Sequence, residues 1–368
     1  MDQQCTHDGC AILKEVRGTF HSNMPWALPA RLRSRGLEAA LSGERALFSA
    51  WRPQRGPPSK RGAVEETRPA LIELCRLGVC AELGDKKRLA MFLERCGLTT
   101  WAPLTILLPE DMSRIGESDS KTLWFLKHAR KERNEGVSVH LGPRACHNAW
   151  ISEEDQDDYI AQCEVPRVLL DEAGRKLTFR IYLLLMSRGH EASSTMALVR
   201  REFICRSHPA PYDAADPNPA RHVHSTLDTF EGVEGRSSRT FAQAAVVWPA
   251  ILNMLQAVLQ PFLESFAVAS EAREAGAALS FEILGADVLL DTTGRPWLLE
   301  VNQGPALLPL RGNPAATAAR EAVLDDLLKV LLDPMLRCGC LEEAWEQASS
   351  SGDWDVLASW QRNPLTGL

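Results

Sequence analysis

The chain carries no surplus of positive charge. Its 41 Lys and Arg stand against 48 Asp and Glu, a formal charge of -7. A general DNA- or RNA-binding surface needs a basic footprint, so nucleic acid is not an expected partner, although a local basic cleft stays open. Ten cysteines contain no CxxC pair, Cys338-Gly-Cys340 is too isolated to specify zinc, and Cys5 and Cys10 lack matching His spacing. Free thiols are therefore expected rather than a structural metal. No stretch approaches the ~20 apolar residues that span a bilayer; the apolar run IYLLLM is strand-length and flanked by Arg180 and Arg188. The opening MDQQCTHDGC lacks the basic segment and apolar run of a secretory signal. Neither GxxxxGK[ST] nor GxGxxG occurs, and there is no internal repeat. The expectation is a cytoplasmic monomer in a reducing compartment, with no membrane partner.

At 368 residues the chain is long enough for two or three domains. Helix formers dominate 31–47 and 315–332, and strand-like runs recur between them, which favours α/β or α+β over an all-helical fold. Residues 51–62, WRPQRGPPSKRG, read as a linker or exposed loop. The spacing predicts helix over 66–96, closing near Gly97, and a short strand between prolines at 101–109. Two strands flank a charged loop within 122–140, and RKLTFRIYLLLMSRG is a clear strand. Residues 206–240 read as a polar loop that orders on binding. Helical patterning returns over 241–275, punctuated by Pro249 and Pro261.

The segment GRPWLLEVNQGPAL, 294–307, carries a carboxylate and an amide on one strand. Strands at 285–290 and 296–302 fold back on the turn residues DTTGR. This places Asp287 across from Glu300, within one residue. Equal parity puts Glu300 and Asn302 on one face, with the flanking leucines and valine turned to a core. Opposed like charges at ~5 Å are destabilising when bare. A divalent cation removes the conflict, and carboxylate and amide oxygens suit magnesium. A solvated face whose acids pair with Lys or Arg is the alternative. Lys127 closes the apolar strand LWFLK, and Gly136 follows nine residues later. A loop leaving with lysine and returning through glycine can cover a polyphosphate, with a charged surface loop as the plainer reading. Lys176 and Arg180 share that ambiguity; Arg180 would be costly to bury without an anionic partner.

These stretches resemble the tubulin–tyrosine ligase-like family of the ATP-grasp superfamily. FEILGADVLLDTTGRPWLLEVNQGPAL (281–307) is similar to its metal-binding hairpin, and YIAQCEVPRVLLDEAGRKLTFRIYLLL (159–185) to its hinge and basic strand. GDKKRLAMFLERCG (84–97) is similar to its lysine-containing helix, PLTILLP to the strand after it, and WFLKHARKERNEGVSV (124–139) to its phosphate-covering loop. The resemblance implies an α+β, ATP-grasp fold: a small N-terminal domain (1–83), a central lobe (84–165) and a catalytic lobe (166–368), with two lobes enclosing the nucleotide. By the same resemblance Asp287, Glu300 and Asn302 are magnesium ligands, Lys127 and Gly136 belong to the phosphate loop, and Gln162 lies near the adenine. Lys176 and Arg180 line the nucleotide and acceptor side. Arg200 approaches the γ-phosphate, with Arg201 as a competing candidate.

The chain departs from the family pattern at Cys163, where lysine is usual, at Thr178, where aspartate is usual, and at Ser225, where asparagine is usual. These positions bear on adenine recognition and nucleotide placement. The resemblance implies an ATP- and Mg²⁺-dependent ligase that joins a free amino acid to a protein carboxylate through an acyl phosphate. Tubulin is the expected acceptor, and association with the cytoskeleton follows. A related ligase with another acceptor and an inactive tubulin-binding relative are the alternatives. Arg52, Arg55, Lys60 and Arg61 are the candidates for a basic strip facing an acidic tail.

Overall fold

The computed structural model describes residues 19–22, 27–40, 46–50, 70–74, 78–111, 121–131, 136–188, 194–223, 235–237, 241, 243–271, 278–305, 307, 314–338, 341–348 and 353–361. Four strands come first: β1 (Thr19–Ser22), β2 (Glu38–Ala39), β3 (Ala46–Ala50) and β4 (Ala70–Leu74). The next four are β5 (Thr105–Leu107), β6 (Leu123–His128), β7 (Val137–Leu141) and β8 (Tyr159–Cys163), which form a separate antiparallel sheet in the order β5-β8-β6-β7. Then come β9 (Leu177–Arg188), β10 (Ser194–Arg200), β11 (Ile204–Ser207) and β12 (Gly235–Ser237). Last are β13 (Leu279–Leu290), β14 (Pro296–Gln303) and β15 (Trp354–Gln361). Strands β9 to β15 join β1 to β4 in a mixed sheet of 11 strands. The fold is α+β.

The long antiparallel partners β9 and β13 organise this sheet. Their sequences are apolar almost throughout because both faces are covered, a pattern that buried strands share. One face carries Phe179, Ile181, Leu183 and Leu185 against the helices Lys86–Arg95, Ala244–Leu259 and Leu263–Glu271. The other carries Tyr182, Leu184 and Met186 against Val323, Leu324, Leu327 and Leu328 of the helix Pro314–Leu331. Each such leucine contributes roughly 1.5–3 kcal/mol by burial, enough to make β9 and β13 the rigid base for the site.

Several local expectations change. The helix expected at 31–47 is Ala27–Ser34. Gly36, at φ +82°, turns left-handed, Leu37 N–H closes on the Leu32 carbonyl, and the chain goes on as strand. The helix expected over 66–96 begins late: β4 pairs in parallel with β3 and β13, and this sheet pairing overrides the local pattern. Helix Lys86–Arg95 then starts where the Asp85 side chain accepts from the Lys87 and Arg88 N–H groups. It ends before Gly97 at φ +68°, as expected. Within 206–240, the end of β11, the short helix Pro219–His222 and β12 are ordered. Residues 51–62, with Arg52, Arg55, Lys60 and Arg61, lie outside the described residues, as does Ser225. The stretch Ala244–Glu271 is, by length and composition, apolar enough to cross a membrane, contrary to the expectation that no run comes close. Its apolar character serves packing instead, since Val247, Ile251, Met254, Leu255, Val258 and Leu259 are buried against the sheet.

Candidate functional site

The hairpin of β13 and β14 pairs Asp287 directly with Glu300 and Gly285 with Asn302. The ladder shifts between Asp287 and Val288, so that Val288 faces Leu298 and Leu299 is the extra residue of a bulge. Strict alternation would send Leu299 and Val301 to the core and leave Leu298 beside Glu300, against the expectation that all the flanking leucines turn inward. The bulge corrects that: Leu298 and Val301 enter the core, while Leu299 joins Glu300 and Asn302 on the wall of a cleft. The Asn302 amide nitrogen lies 3.0 Å from Glu300 Oε1 and 3.3 Å from Asp287 Oδ2. The three side chains thus converge on one point, as the sequence pattern requires.

The cleft lies between the two sheets. Its second wall comes from the small sheet, where Phe125, Lys127 and Gln162 share a face because β6 and β8 pair Phe125 with Gln162. Lys127 Nζ donates to Gln162 Oε1 at 2.7 Å, and Gln162 Nε2 donates to Thr105 Oγ1 at 3.0 Å. Burial pushes the Lys127 ammonium down to about 8, against the pull of Glu300. Lys176, fully buried at the floor, pairs with Glu164 at 2.5 Å and sits 4.7 Å from the Tyr212 ring centroid. Burial lowers its pKa and Glu164 opposes the shift. Gly136 is not on the wall: at φ +68° it brings the chain against His128, whose N–H donates to the Gly136 carbonyl. A Cβ there would meet His128 Cβ at 2.8 Å, so glycine is needed for this close return.

Of the departures, Cys163 is in the cleft wall and Thr178 is buried out of its lining. Cys163 lines the cleft, and burial raises its pKa, which keeps it a neutral thiol. Thr178 is buried below the cleft, with its hydroxyl 2.9 Å from His208 Nε2.

Beside the hairpin the surroundings turn cationic. Arg180 binds Asp287 through two bonds, Nε to Oδ1 and Nη2 to Oδ2, both 2.5 Å. Burial opposes the Arg180 charge, but Asp287 outweighs burial and raises its pKa. The register of β11 against β9 sets Arg206 opposite Thr178 and diagonal to Arg180, on the same face. Burial, then repulsion from Arg180, pushes the Arg206 guanidinium down to about 10. The cleft also receives Lys86, 3.7 Å from Glu300. Sequence reasoning missed both. Arg206 sits on a four-residue strand whose pairing is invisible in one dimension, and Lys86 adjoins Lys87, which is tied instead to Glu110 and two carbonyls. Arg200 is placed elsewhere. It ends β10, buried, and pairs with Asp326 at 2.8 Å and Glu202 at 3.3 Å. Arg201 is exposed and pairs with Asp355.

For a metal, the described residues contain no group of three or more His, Cys, Asp and Glu side chains able to hold an ion. The hairpin offers two carboxylates and an amide. Its oxygens suit a hard cation that keeps several waters and shares phosphate oxygens.

The profile described as the Tubulin-tyrosine ligase family matches residues 242–338, which include the whole hairpin. The chain is 34% identical over 144 residues to the tubulin monoglycylase TTLL3 of Danio rerio, covering 39% of this chain and 17% of that protein. It is 28% identical over 193 residues to the tubulin polyglutamylase ttll-5 of Caenorhabditis elegans, covering 45% and 24%. With the probable tubulin polyglutamylase ttll-9 of the same organism the identity is 25% over 238 residues, covering 56% and 52%. The matches therefore span between about a sixth and about half of these relatives' lengths.

Proposed function

The chain belongs to the tubulin–tyrosine ligase-like family, and from that membership and the cleft we propose that it is an ATP-dependent ligase joining a free amino acid to a carboxylate on a tubulin tail. The observation that carries the reading is convergence. Lys127 and Gln162 from one sheet face Glu300 and Asn302 from the other across a single cleft, with Lys176 at its floor. This supports an ATP-grasp arrangement, with residues 84–165 as central lobe, 166–368 as catalytic lobe and 1–83 as N-terminal domain. A cytoplasmic, cytoskeleton-associated location goes with a tubulin substrate.

In this reading ATP is a substrate in the cleft. Gln162 holds the adenine side, while the Lys127 and Lys86 ammonium groups bind phosphate oxygens as point charges. Lys127, half neutral near pH 8, regains its proton when phosphate arrives. Asp287, Glu300 and Asn302 would hold magnesium, which neutralises charge on the transferred phosphoryl group. An acceptor carboxylate oxygen attacks the γ-phosphorus, ADP leaves, and an acyl phosphate results. The amine nitrogen of the amino acid then attacks the acyl carbon, orthophosphate leaves, and the amine loses a proton to solvent. Arg180, fixed by Asp287, and Arg206 stabilise oxyanions as they develop. Arg206 is given the γ-phosphate role expected of Arg200, because Arg206 lies beside Arg180 while Arg200 is held by Asp326 and Glu202.

The test is co-substrate dependence. Purified protein with ATP, magnesium and tubulin should release ADP only when an amino acid is also supplied. Release independent of both acceptor and amino acid contradicts the reading. MgATP binding without turnover for any acceptor favours the inactive relative, for which Cys163 and Thr178 in the nucleotide region are the specific observations. Turnover with a different protein acceptor keeps the chemistry and changes the substrate.

A further inference from the structure

Lys176 is the most deeply buried cation of the cleft wall. An ammonium taken out of water is costly unless a carboxylate meets it. Its main chain is fixed on both sides: it closes an antiparallel bridge with Leu170, and its carbonyl accepts from the His208 N–H. Three side chains then meet the ammonium. Nζ donates to Glu164 Oε1 at 2.5 Å, the Tyr212 ring centroid lies 4.7 Å away and that of Phe125 5.5 Å away. The Lys127 ammonium is also 5.5 Å from the Phe125 centroid, so one ring borders both lysines. Glu164 is itself held, because its other oxygen, Oε2, accepts from the Tyr212 hydroxyl at 3.1 Å.

The tyrosine arrives from the segment after β11. Tyr212 N–H donates to the Gly174 carbonyl, and the His222 ring meets Tyr212 edge-on at 5.6 Å and Phe125 at 6.4 Å. His208 and His222 of this segment line the cleft with Lys176, whereas Glu164 and Tyr212 are outside the lining. Residues so placed act on a ligand of the cleft through the lysine they hold. The titratable groups around the ammonium are Cys163 and Glu164 from the end of β8, His208, Tyr212 and His222 from the segment after β11, and Lys127 beside the shared ring. Among these Glu164 alone is a carboxylate. Arg175, next in the chain, is taken by Asp171. Burial lowers the Lys176 pKa and Glu164 opposes that shift, so without the carboxylate burial drives the amine toward its neutral form.

We propose that Glu164 and Tyr212 are positioning residues for the nucleotide: the carboxylate, locked by the Tyr212 hydroxyl, keeps Lys176 an ammonium and holds it in place for the phosphate oxygens of ATP. The inference rests on the ligase reading above and deepens it. It gives an acid the task of supporting an anion. Simple charge counting says that removing a carboxylate from beside a phosphate site tightens binding. Here the carboxylate sets the charge of the group that meets the phosphate, and a neutral amine is no point charge. Removing it therefore weakens binding.

The experiment titrates MgATP calorimetrically into wild type, Glu164→Gln, Tyr212→Phe, Lys176→Met and the double variant Lys176→Met/Glu164→Gln, from about pH 6 to about pH 9. At the alkaline end Glu164→Gln should bind about tenfold more weakly than wild type or worse. The ratio of the two affinities should shrink as pH falls, because acid returns the proton to Lys176. The Lys127 step is common to both proteins and cancels in that ratio. Tyr212→Phe keeps the ring over the ammonium and should lose affinity by a smaller factor with the same pH trend. In Lys176→Met, adding Glu164→Gln should cost no further affinity. Tighter binding by Glu164→Gln overturns the inference, as does a loss of equal size at every pH, or one that persists in the Lys176→Met background. Should Glu164→Gln fail to fold, the pH trend of Tyr212→Phe decides by the same ratio. Failure of the wild type to bind MgATP at any pH defeats the nucleotide reading of the cleft and takes this inference with it.

Discussion

Arg180 and Arg200 sit on neighbouring strands of one sheet, and each is buried and paired with an aspartate, yet their surroundings are opposite. At Arg200 the charges close on themselves. Asp326 takes Arg200 and Lys329, Lys329 reaches Asp353, and Glu202 adds a second acid to Arg200. At Arg180 the surroundings differ: Asp287 takes both its bonds, Arg206 lies diagonal to it on the same face, and among the described residues the buried Tyr182 hydroxyl on that face has no hydrogen-bond partner. Burial and pairing are therefore common to both and identify neither. What differs is the neighbourhood: acids surround Arg200, whereas a second arginine, Arg206, stands beside Arg180.

The largest expected effect is on the ligand side of this contrast. Glu300→Gln keeps shape and removes the charge that balances magnesium, so ligation should fall by roughly 100-fold or more. Its folding midpoint should hold or rise slightly, since the opposed Asp287 is relieved. Steady-state ligation and thermal unfolding on one preparation read both. Near-normal ligation would return the hairpin to the status of a paired surface.

Arg200→Ala probes the closed cluster. It leaves Asp326 buried with one cation fewer, so stability should drop by about 3–5 kcal/mol, read by urea unfolding. MgATP affinity, titrated at low temperature where the variant is folded, should match wild type. A loss of affinity in the folded variant would put Arg200 back at the nucleotide.

Lys127 gives a pH signature. Its pKa, held down to about 8 by burial, places the charged form below that pH and the neutral form above it. Phosphate favours the charged form, so MgATP affinity should be full below pH 8 and decline as pH rises through it. Titrations in buffers of different ionisation enthalpy should show proton uptake near pH 8. Lys127→Met should bind about tenfold more weakly or worse, and lose the pH step. A step of the same size in that variant would assign it to another group.

The smallest effect is expected at Cys163. Burial keeps its thiol neutral, so Cys163→Ser should change MgATP affinity by no more than about twofold. A larger change would mean that the position the family fills with lysine still contributes directly.

The hairpin was legible in the sequence because its chemistry is local. A turn signal and period-two alternation bring Asp287, Glu300 and Asn302 together without any knowledge of distant chain. Lys127 and Gln162 were legible through resemblance, since β6 and β8 are separated by a hairpin and a helix. What was hidden depends on register. The bulge that turns Leu299 into the cleft has no signature in LLEVN, and the pairing of β11 with β9 that aims Arg206 is a tertiary fact. Residues 70–74 read as helix because their fate is set by β3 and β13, the latter some two hundred residues away. Arg200 was read through resemblance, and its pairing with Asp326, on a helix 126 positions later, is a tertiary fact.

The most direct measurement is intact mass spectrometry of tubulin tails after incubation with the wild-type protein, ATP, magnesium and each amino acid in turn. The prediction is a mass increment of one amino-acid residue, dependent on ATP and absent with Glu300→Gln. No increment with any amino acid, from protein that binds MgATP and is folded, would contradict the assignment of this cleft to amino-acid ligation on tubulin.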